Sequence, residues 1–460
     1  MSEKTERIWI EQTPEMVGEI VTIKGWVHAR RDHGKLIFID IRDRTGYLQS
    51  VIFSGDAELF EKASELRSEY VVSFTGKVAA RSEKQINPDT PTGGVELQVQ
   101  AIDILNTAET PIFEIEKAPE AGEELRMRYR YLDMRSERMK QNLQKRHEIV
   151  KHVRDYLAEK KFWEVETPYL TKGTPEGARE FVVPARLQPG NHFVLPQSPQ
   201  QFKQLLMAGG VERYFQIARC FRDEDARGDR QAEFSQVDME LSFVDKEDVM
   251  QLNEALLIDL VTKLYPEKRI QTVPFPRMTY KEAMEKYDTD RPDIREDKDD
   301  PNLLAFCWVT DFPMFEPVDH NAHPESKADW TFTHNPFSAP VESDLELLRK
   351  KENIGDIIST QYDIVLNGYE IGGGSIRTHR AEDLRKTLQI IGYSDDIIDR
   401  DFGHILEAFN YGTPPHGGIA WGLERLVMLL QGEKSIRDVM AFPKTGDSRD
   451  LLMGAPSKIL

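Results

Sequence analysis

The chain has 460 residues, of which 39% are hydrophobic and 30% charged, with a formal net charge of −19. That is the composition of a globular protein of roughly two to four domains, and no apolar run reaches membrane-span length, so no membrane association is expected. The charge total argues against general nucleic-acid affinity. With only Cys220 and Cys307, no CxxC or HExxH pattern and no apolar leader at the N-terminus, a disulfide framework and a structural zinc site are excluded and a cytoplasmic protein is expected.

Residues 20–105 read as strands. Ile20–Val27, Leu36–Asp43, Gly46–Phe53, Tyr70–Val78 and Val95–Gln100 are apolar and rich in β-branched side chains. Glycine turns and one helical insert, Asp56–Leu66, separate them, and Asn87–Gly94 is a Pro- and Gly-rich loop. Five such strands predict a small closed barrel of the oligonucleotide-binding kind over residues 1–106. Thr107–Glu124 carries Pro111, Pro119 and many acids and reads as a linker. Residues 107–136 are therefore expected to be a hinge and 137–460 a second domain. A basic knot lies at His28–Lys35, and Arg126–Arg154 holds ten Lys or Arg against three acids. Such a stripe on an acidic chain is either a polyanion footprint or a solvated helix face.

Glu137–Phe162 is predicted helical, with Met139, Leu143, Ile149, Val150, Val153 and Leu157 on one face. Trp163–Pro168 follows as a strand closed by proline. Residues 211–244 read as two strands around a charged loop, and Val249–Tyr265 as a helix. Arg291–Pro301 is an acidic surface connection. Leu345–Lys351 and Ala381–Leu388 read as helices, and Ile419–Leu430 as an apolar helix entered through two glycines. There is no internal repeat.

Three constellations carry chemistry. Arg222, in Arg219-Cys220-Phe221-Arg222-Asp223-Glu224-Asp225, stands at a strand-to-loop edge where a guanidinium fork can grip a phosphate. Phe234 on the returning strand can stack on a planar base. Arg425 follows Gly422 by three residues near a helix start and can reach a second phosphate. Two arginines clamping a triphosphate stabilise charge in nucleotidyl transfer. In the string Asp363–Arg377, Asp363 and Glu370 are hard oxygen ligands suited to Mg²⁺ beside phosphates. Gly372, Gly373 and Gly374 leave open space, and Arg377 can receive a carboxylate. Taken one at a time, each arginine reads first as the partner of a local carboxylate.

Jointly, these strings resemble the three signature motifs of class II aminoacyl-tRNA synthetases, in the aspartate-specific branch. The resemblance runs from Trp26 to Ala455-Pro456-Ser457. It implies an α+β protein: an N-terminal five-stranded oligonucleotide-binding β-barrel, then a catalytic domain with an antiparallel sheet flanked by helices. Gly173-Thr174-Pro175-Glu176-Gly177-Ala178-Arg179 resembles the family's flipping loop, and Gln197–Lys203 its amino-acid pocket. By this resemblance Glu176, Gln200 and Lys203 contact L-aspartate, with Arg222 and His334 beside it. Arg377 grips the side-chain carboxylate with Lys203, and Asp238 orients that pair. ATP falls to Arg222, Asp223, Glu224, Gln231, Phe234, Glu370 and the run Gly422, Leu423, Glu424 and Arg425, with Arg222 and Arg425 catalytic. Asp363 and Glu370 take Mg²⁺. Phe38, Gln49 and Glu96 read the anticodon, although alternation with Ile37 and Ile39 would by itself place Phe38 in the barrel core. Pro168 marks a homodimer interface. The implied activity is ATP-dependent formation of aspartyl-adenylate and transfer of aspartate to the 3′ end of tRNA(Asp). Charging of tRNA(Asn) stays open, since His33 resembles relaxed members and Lys84 strict ones.

Three features depart from the family's pattern. Asp293-Ile294-Arg295 is followed almost at once by Cys307–Pro313, so the extra domain usual in bacterial members is missing near 296–305. Ala232 stands where a proline is usual, and Asn335 where a second histidine follows the first. Rival readings are an asparagine ligase, against which Arg377 and Lys203 argue, and a non-catalytic RNA-binding relative, against which the intact arginine pair argues.

Overall fold

The computed structural model describes residues 6–173, 176–320 and 328–458. Thr174 and Pro175 of the flipping-loop string lie outside the described residues. The chain divides into two compact units, Met1–Arg126 with Tyr131–Lys140, and Met127–Arg130 with Gln141–Leu460.

The first unit is built on strands β1 (Arg7–Ile8), β2 (Ile20–Asp32), β3 (Leu36–Arg42), β4 (Tyr47–Phe53), β5 (Val71–Ala80) and β6 (Val95–Asn106), with helix α1 (Ala57–Glu65) after β4. Their order is β1-β2-β3-β4-β6-β5, and β5 pairs back onto β2, which closes the barrel. Inward residues alternate along each strand, so Ile37, Ile39 and Ile41 of β3 and Val21 and Ile23 of β2 fill the interior. Register shifts in β2 and β6 supply bends that closure requires. The Asp56 side chain accepts from the Leu59 N–H and starts α1. Strand β1 was not expected, because two residues are too short to show a period.

Two helical turns, α2 (Glu123–Arg128) and α3 (Arg130–Asp133), precede the long helix α4 (Glu137–Glu159). Ile149, Val153 and Leu157, at spacings of four, are fully buried, each worth about 2 kcal/mol of burial. The helix stops three residues earlier than expected, since Lys161 takes a left-handed conformation with φ 65°. The basic run is not a free footprint. Arg130 donates to the carbonyls of Arg437, Met440 and Ala441, Arg146 pairs with Glu424, and Arg154 with Glu164. Arg126 faces Asp133, and Arg135 reaches Glu69, which also holds Arg42.

The second unit is built around one eight-stranded sheet. After β7 (Trp163–Glu164) come a small hairpin, β8 (Val182–Pro184) with β9 (His192–Val194), helix α5 (Gln200–Ala208), β10 (Arg213–Phe221), β11 (Glu233–Ser242) and helix α6 (Lys246–Leu264). Next are β12 (Arg269–Ile270), β13 (Arg277–Thr279), α7 (Tyr280–Tyr287), β14 (Leu303–Leu304), β15 (Phe306–Thr310), β16 (Phe315–Pro317), β17 (Trp330–Phe332) and α8 (Leu345–Lys350). The chain ends with β18 (Tyr362–Leu366), β19 (Tyr369–Ile376), α9 (Ala381–Ile390), α10 (Asp395–Phe409), β20 (His416–Gly422) and α11 (Leu423–Gln431). The sheet order is β13-β15-β18-β19-β20-β11-β10-β7. Its six inner strands run antiparallel, and the short edge strands β13 and β7 join in parallel. Helices α4, α6 and α11 cover one face and share its core with Met239, Trp308, Ile364, Ile419 and Trp421.

Two expected elements are corrected. Ile419-Ala420-Trp421 is strand, not helix: His416–Gly422 pairs with β11 and β19, and the helix starts only at Leu423. An apolar run buried on both faces reads alike as strand or helix. Trp163–Pro168 forms a strand only over its first two residues, with the Val165 N–H giving a last bond to the Phe215 carbonyl.

Candidate active site

Strand β11 alternates sharply. Val237, Met239 and Leu241 face the helices, while Gln236, Asp238 and Glu240 face the other way. Over that second face lies a cavity of about 340 Å³, lined among others by Glu176, Gln200, Lys203, Arg222, Phe234, Asp238, His334, Glu370, Arg377 and Arg425. Its floor is glycine. A Cβ on Gly374 would come within 2.0 Å of the Gly418 carbonyl oxygen, and one on Gly418 within 2.0 Å of the Met239 carbonyl and 2.1 Å of the Glu240 carboxylate. Only hydrogen lets these three strands approach so closely while leaving room above.

At one end four buried charges interlock. Lys203 Nζ lies 2.8 Å from Asp238 and 3.4 Å from Glu240. Arg377 donates through Nε and Nη2 to Glu240 at 2.9 and 3.3 Å, through Nη2 to the Gly418 carbonyl, and through Nη1 to Ser375 Oγ. The division of labour therefore differs from that expected: Asp238 holds Lys203, and Glu240 holds Arg377. Guanidinium offers five N–H groups and ammonium three. Hydrogen bonds use four N–H groups of Arg377 and one of Lys203, so each cation keeps at least one N–H for a ligand. Burial alone would raise both carboxyls. Arg377 and Lys203 overcome it at Glu240, which is held low, whereas Asp238 stays raised and its Oδ1 is buried without a partner.

At the other end stand the two arginines. Arg222 follows β10, and its N–H bonds the Ala232 carbonyl to close the hairpin loop. Its guanidinium lies 5.2 Å from the Phe234 ring centre. Arg425, in the first turn of α11, donates to the Glu370 carbonyl and to Asp229 at 3.1 Å. Arg222 Nε and Arg425 Nε are buried donors with no partner, an arrangement that awaits an acceptor. Glu424 is an anchor: it accepts from Arg146 and from the Ser235 N–H, fixing α11 against β11.

Between the ends, Asp363 is buried and accepts from Gln361 at 2.7 Å and His334 at 3.3 Å. Burial and the Asp363 charge both raise Glu370. Burial opposes charging of His334, but Asp363 and Glu370 outweigh it and raise its pKa. Among the described residues no group of three or more His, Cys, Asp or Glu is arranged to hold a metal. Two neighbouring carboxylates do fit a divalent cation that takes its other oxygens from phosphates and water.

The family described as tRNA synthetases class II (D, K and N) spans residues 122–446, and the OB-fold nucleic acid binding domain residues 21–105. The chain is a class II aminoacyl-tRNA synthetase of this group. An aspartate–tRNA(Asp/Asn) ligase of Halothermothrix orenii is 40% identical, covering 97% of this chain and 95% of the relative. An aspartate–tRNA ligase of Geobacillus kaustophilus is also 40% identical, covering 97% and 96%. The first of these alignments spans 573 positions against 460 residues here, so more than a hundred positions of that relative face a gap. Among solved structures, an asparaginyl-tRNA synthetase of Pyrococcus horikoshii complexed with asparaginyl-adenylate is 25% identical, with a TM-score of 0.76 over 96% of this chain and 98% of that one. The aspartate-branch resemblance of the motifs is borne out by these relatives.

In this synthetase the cavity gathers most of the expected residues. Gln231, Glu224 and Gly422 line it, whereas Asp223 lies exposed outside and the Leu423 side chain sits in the core. Asp363 stands behind Gly373, at 2.6 Å from where a Cβ would be. Asn335 lines the cavity and accepts from the Phe337 N–H, and Ala232 is buried. Glu240, Asp229 and Gln361 were not anticipated as partners. The polar alternation Gln236, Asp238, Glu240 was the available signal for the first. On the barrel, Ile37 and Ile39 point inward and Phe38 outward, edge-on to His33 at 5.6 Å. Gln49 shares that outer face and donates to Glu96 at 3.1 Å. Lys84 sits exposed in a separate turn.

Proposed function

We propose that the chain is an aspartate–tRNA ligase: it activates L-aspartate with ATP and transfers it to tRNA(Asp). The observation that carries this reading is one cavity with two unsatisfied arginine donors at one end and a spare N–H on each of Lys203 and Arg377 at the other. Two N–H groups match the two oxygens of a side-chain carboxylate. An amide in that place would aim its own N–H at a donor and leave that buried N–H unsatisfied.

ATP lies between Arg222, Phe234 and Arg425, its base against Phe234 and its phosphates on the arginines. Glu176 and Gln200 take the α-ammonium group. The α-carboxylate attacks the α-phosphorus, and pyrophosphate departs as the arginines neutralise charge. The 3′-terminal ribose hydroxyl of tRNA then attacks the carbonyl carbon of the mixed anhydride and loses its proton, and the acyl–phosphate bond breaks to release AMP. No side-chain nucleophile takes part. Asp363 and Glu370 are the carboxylates that would hold Mg²⁺, which when bound neutralises phosphate charge. Phe38, Gln49 and Glu96 form the anticodon face, stacking and hydrogen-bonding unpaired bases. A homodimer joined beside Pro168 is part of the proposal; Trp163, on the sheet's edge strand, is 65% exposed. Two free, buried thiols favour a cytoplasmic setting, and no described helix is long and apolar enough to cross a membrane.

Arg222→Ala tests the reading. Aspartate-dependent pyrophosphate exchange is expected to fall by about a hundredfold or more. Undiminished exchange would refute the role of Arg222.

A further inference from the structure

Behind the amino-acid end of the cavity a buried chain of polar groups leads to Gln200 through two side chains, Gln204 and His416, that have no binding role of their own. His416, at the start of β20, places Nδ1 at 2.8 Å from the Pro414 carbonyl. Its Nε2 lies 3.1 Å from Gln204 Nε2. Gln204, one turn along α5 from Gln200, places Oε1 at 3.0 Å from Gln200 Nε2. Gln204 and His416 are fully buried, and Gln200 is 7% exposed at the cavity wall.

The direction of this chain is set by its end. A backbone carbonyl can only accept, so His416 Nδ1 must carry a proton. Burial favours the neutral imidazole, with the Glu240 charge as the opposing influence. In the neutral ring Nε2 is then an acceptor. Gln204 must turn its NH₂ toward it, which leaves Gln204 Oε1 as an acceptor, and Gln200 must answer with its own NH₂. The order follows from the carbonyl and does not depend on how any amide is drawn.

We infer that Gln204 and His416 are positioning residues that lock the Gln200 amide with its oxygen toward the cavity, where it accepts a hydrogen bond from the substrate's α-ammonium group. A reversed amide would point NH₂ at that cation and repel it. The inference rests on the amino-acid pocket proposed above. It adds a reason why a freely rotating side chain presents one polarity.

Gln204→Met, which keeps the bulk and removes both polar atoms, tests it in the full-length enzyme. Exchange kinetics give KM for aspartate and for ATP. Succinate, the dicarboxylate without an amino group, is measured as a competitor of aspartate. The expected result is a KM for aspartate raised about tenfold, the worth of one hydrogen bond to a charged group. KM for ATP and the inhibition constant of succinate stay within about twofold. Gln200→Glu, whose two oxygens need no orienting, is expected to restore aspartate affinity in the Gln204→Met background. An unchanged aspartate KM, or equal weakening of aspartate and succinate, overturns the inference. An enzyme that exchanges with asparagine instead overturns the substrate reading alone. The same comparison is then made with asparagine and succinamate, and the same difference is expected.

Discussion

Lys203→Met removes one charge from the buried cluster at nearly constant volume. Lys203 is 2% exposed, with Asp238 at 2.8 Å and Glu240 at 3.4 Å. At an effective dielectric of about 20, the nearer contact alone is an attraction of about 6 kcal/mol. Arg377 still holds Glu240, so the loss falls on Asp238, and stranding one buried carboxylate costs about 3–5 kcal/mol. Burial already raises the Asp238 carboxyl, with Lys203 pulling it down. Without Lys203 the folded pKa climbs further above the unfolded value. The folded variant then holds a proton that the unfolded chain has released. Its penalty is therefore full at alkaline pH and shrinks as pH falls toward the folded pKa, by about 1.4 kcal/mol per unit below it. Urea titrations of wild type and variant at mildly alkaline and mildly acidic pH measure the difference. A destabilisation under about 1 kcal/mol, or one that grows as pH falls, would refute the reasoning. The variant also loses one of two N–H groups aimed at the substrate, so exchange at low aspartate is expected to fall about tenfold or more.

Phe38→Ala is expected to raise KM for tRNA about tenfold, one lost stacking contact, and to leave tRNA-free pyrophosphate exchange untouched; a change in exchange would place Phe38 elsewhere in the mechanism. His334 is partly buried, yet Asp363 and Glu370 hold its pKa above the ordinary value, so its positive charge is present below the folded pKa and lost as pH rises through it. KM for ATP should therefore climb at alkaline pH in wild type, and His334→Gln should flatten that limb. Glu370→Gln is expected to raise the Mg²⁺ concentration needed for half-maximal exchange about tenfold or more, since one of two hard carboxylates is gone; an unchanged requirement would remove Glu370 from the metal site.

The barrel was legible because one face of each strand is buried and the other is not. Ile37, Ile39 and Ile41 announce β3 through a period of two. The same rule hid β20, whose two faces are both covered, so that nothing alternates. Helix α10 was not anticipated, although Ile398, Phe402, Ile405 and Phe409 repeat at three and four and are all buried. In the site, Arg222 and Arg425 stood out through their strings, but the partners of Arg377 did not. Glu240 lies 137 residues away in sequence, and only the pairing of β11 with β20, and of β20 with β19, brings the two together. The basic stripe stayed ambiguous for a related reason: Arg130 and Arg146 find their acceptors some three hundred positions downstream.

The glycine floor limits how such an enzyme can change its substrate. Even alanine at Gly374 or Gly418 collides with main chain, and at Gly418 also with the Glu240 carboxylate that Arg377 holds in place, so those positions cannot drift by small steps. Any shift from one amino acid to another has to be made from the walls, by long side chains such as Lys203 and Arg377 that reach over a surface unable to vary. A selection experiment for altered specificity should thus recover changes in α5, β11 and the segment after β19, and leave the bottom of the cavity as it is.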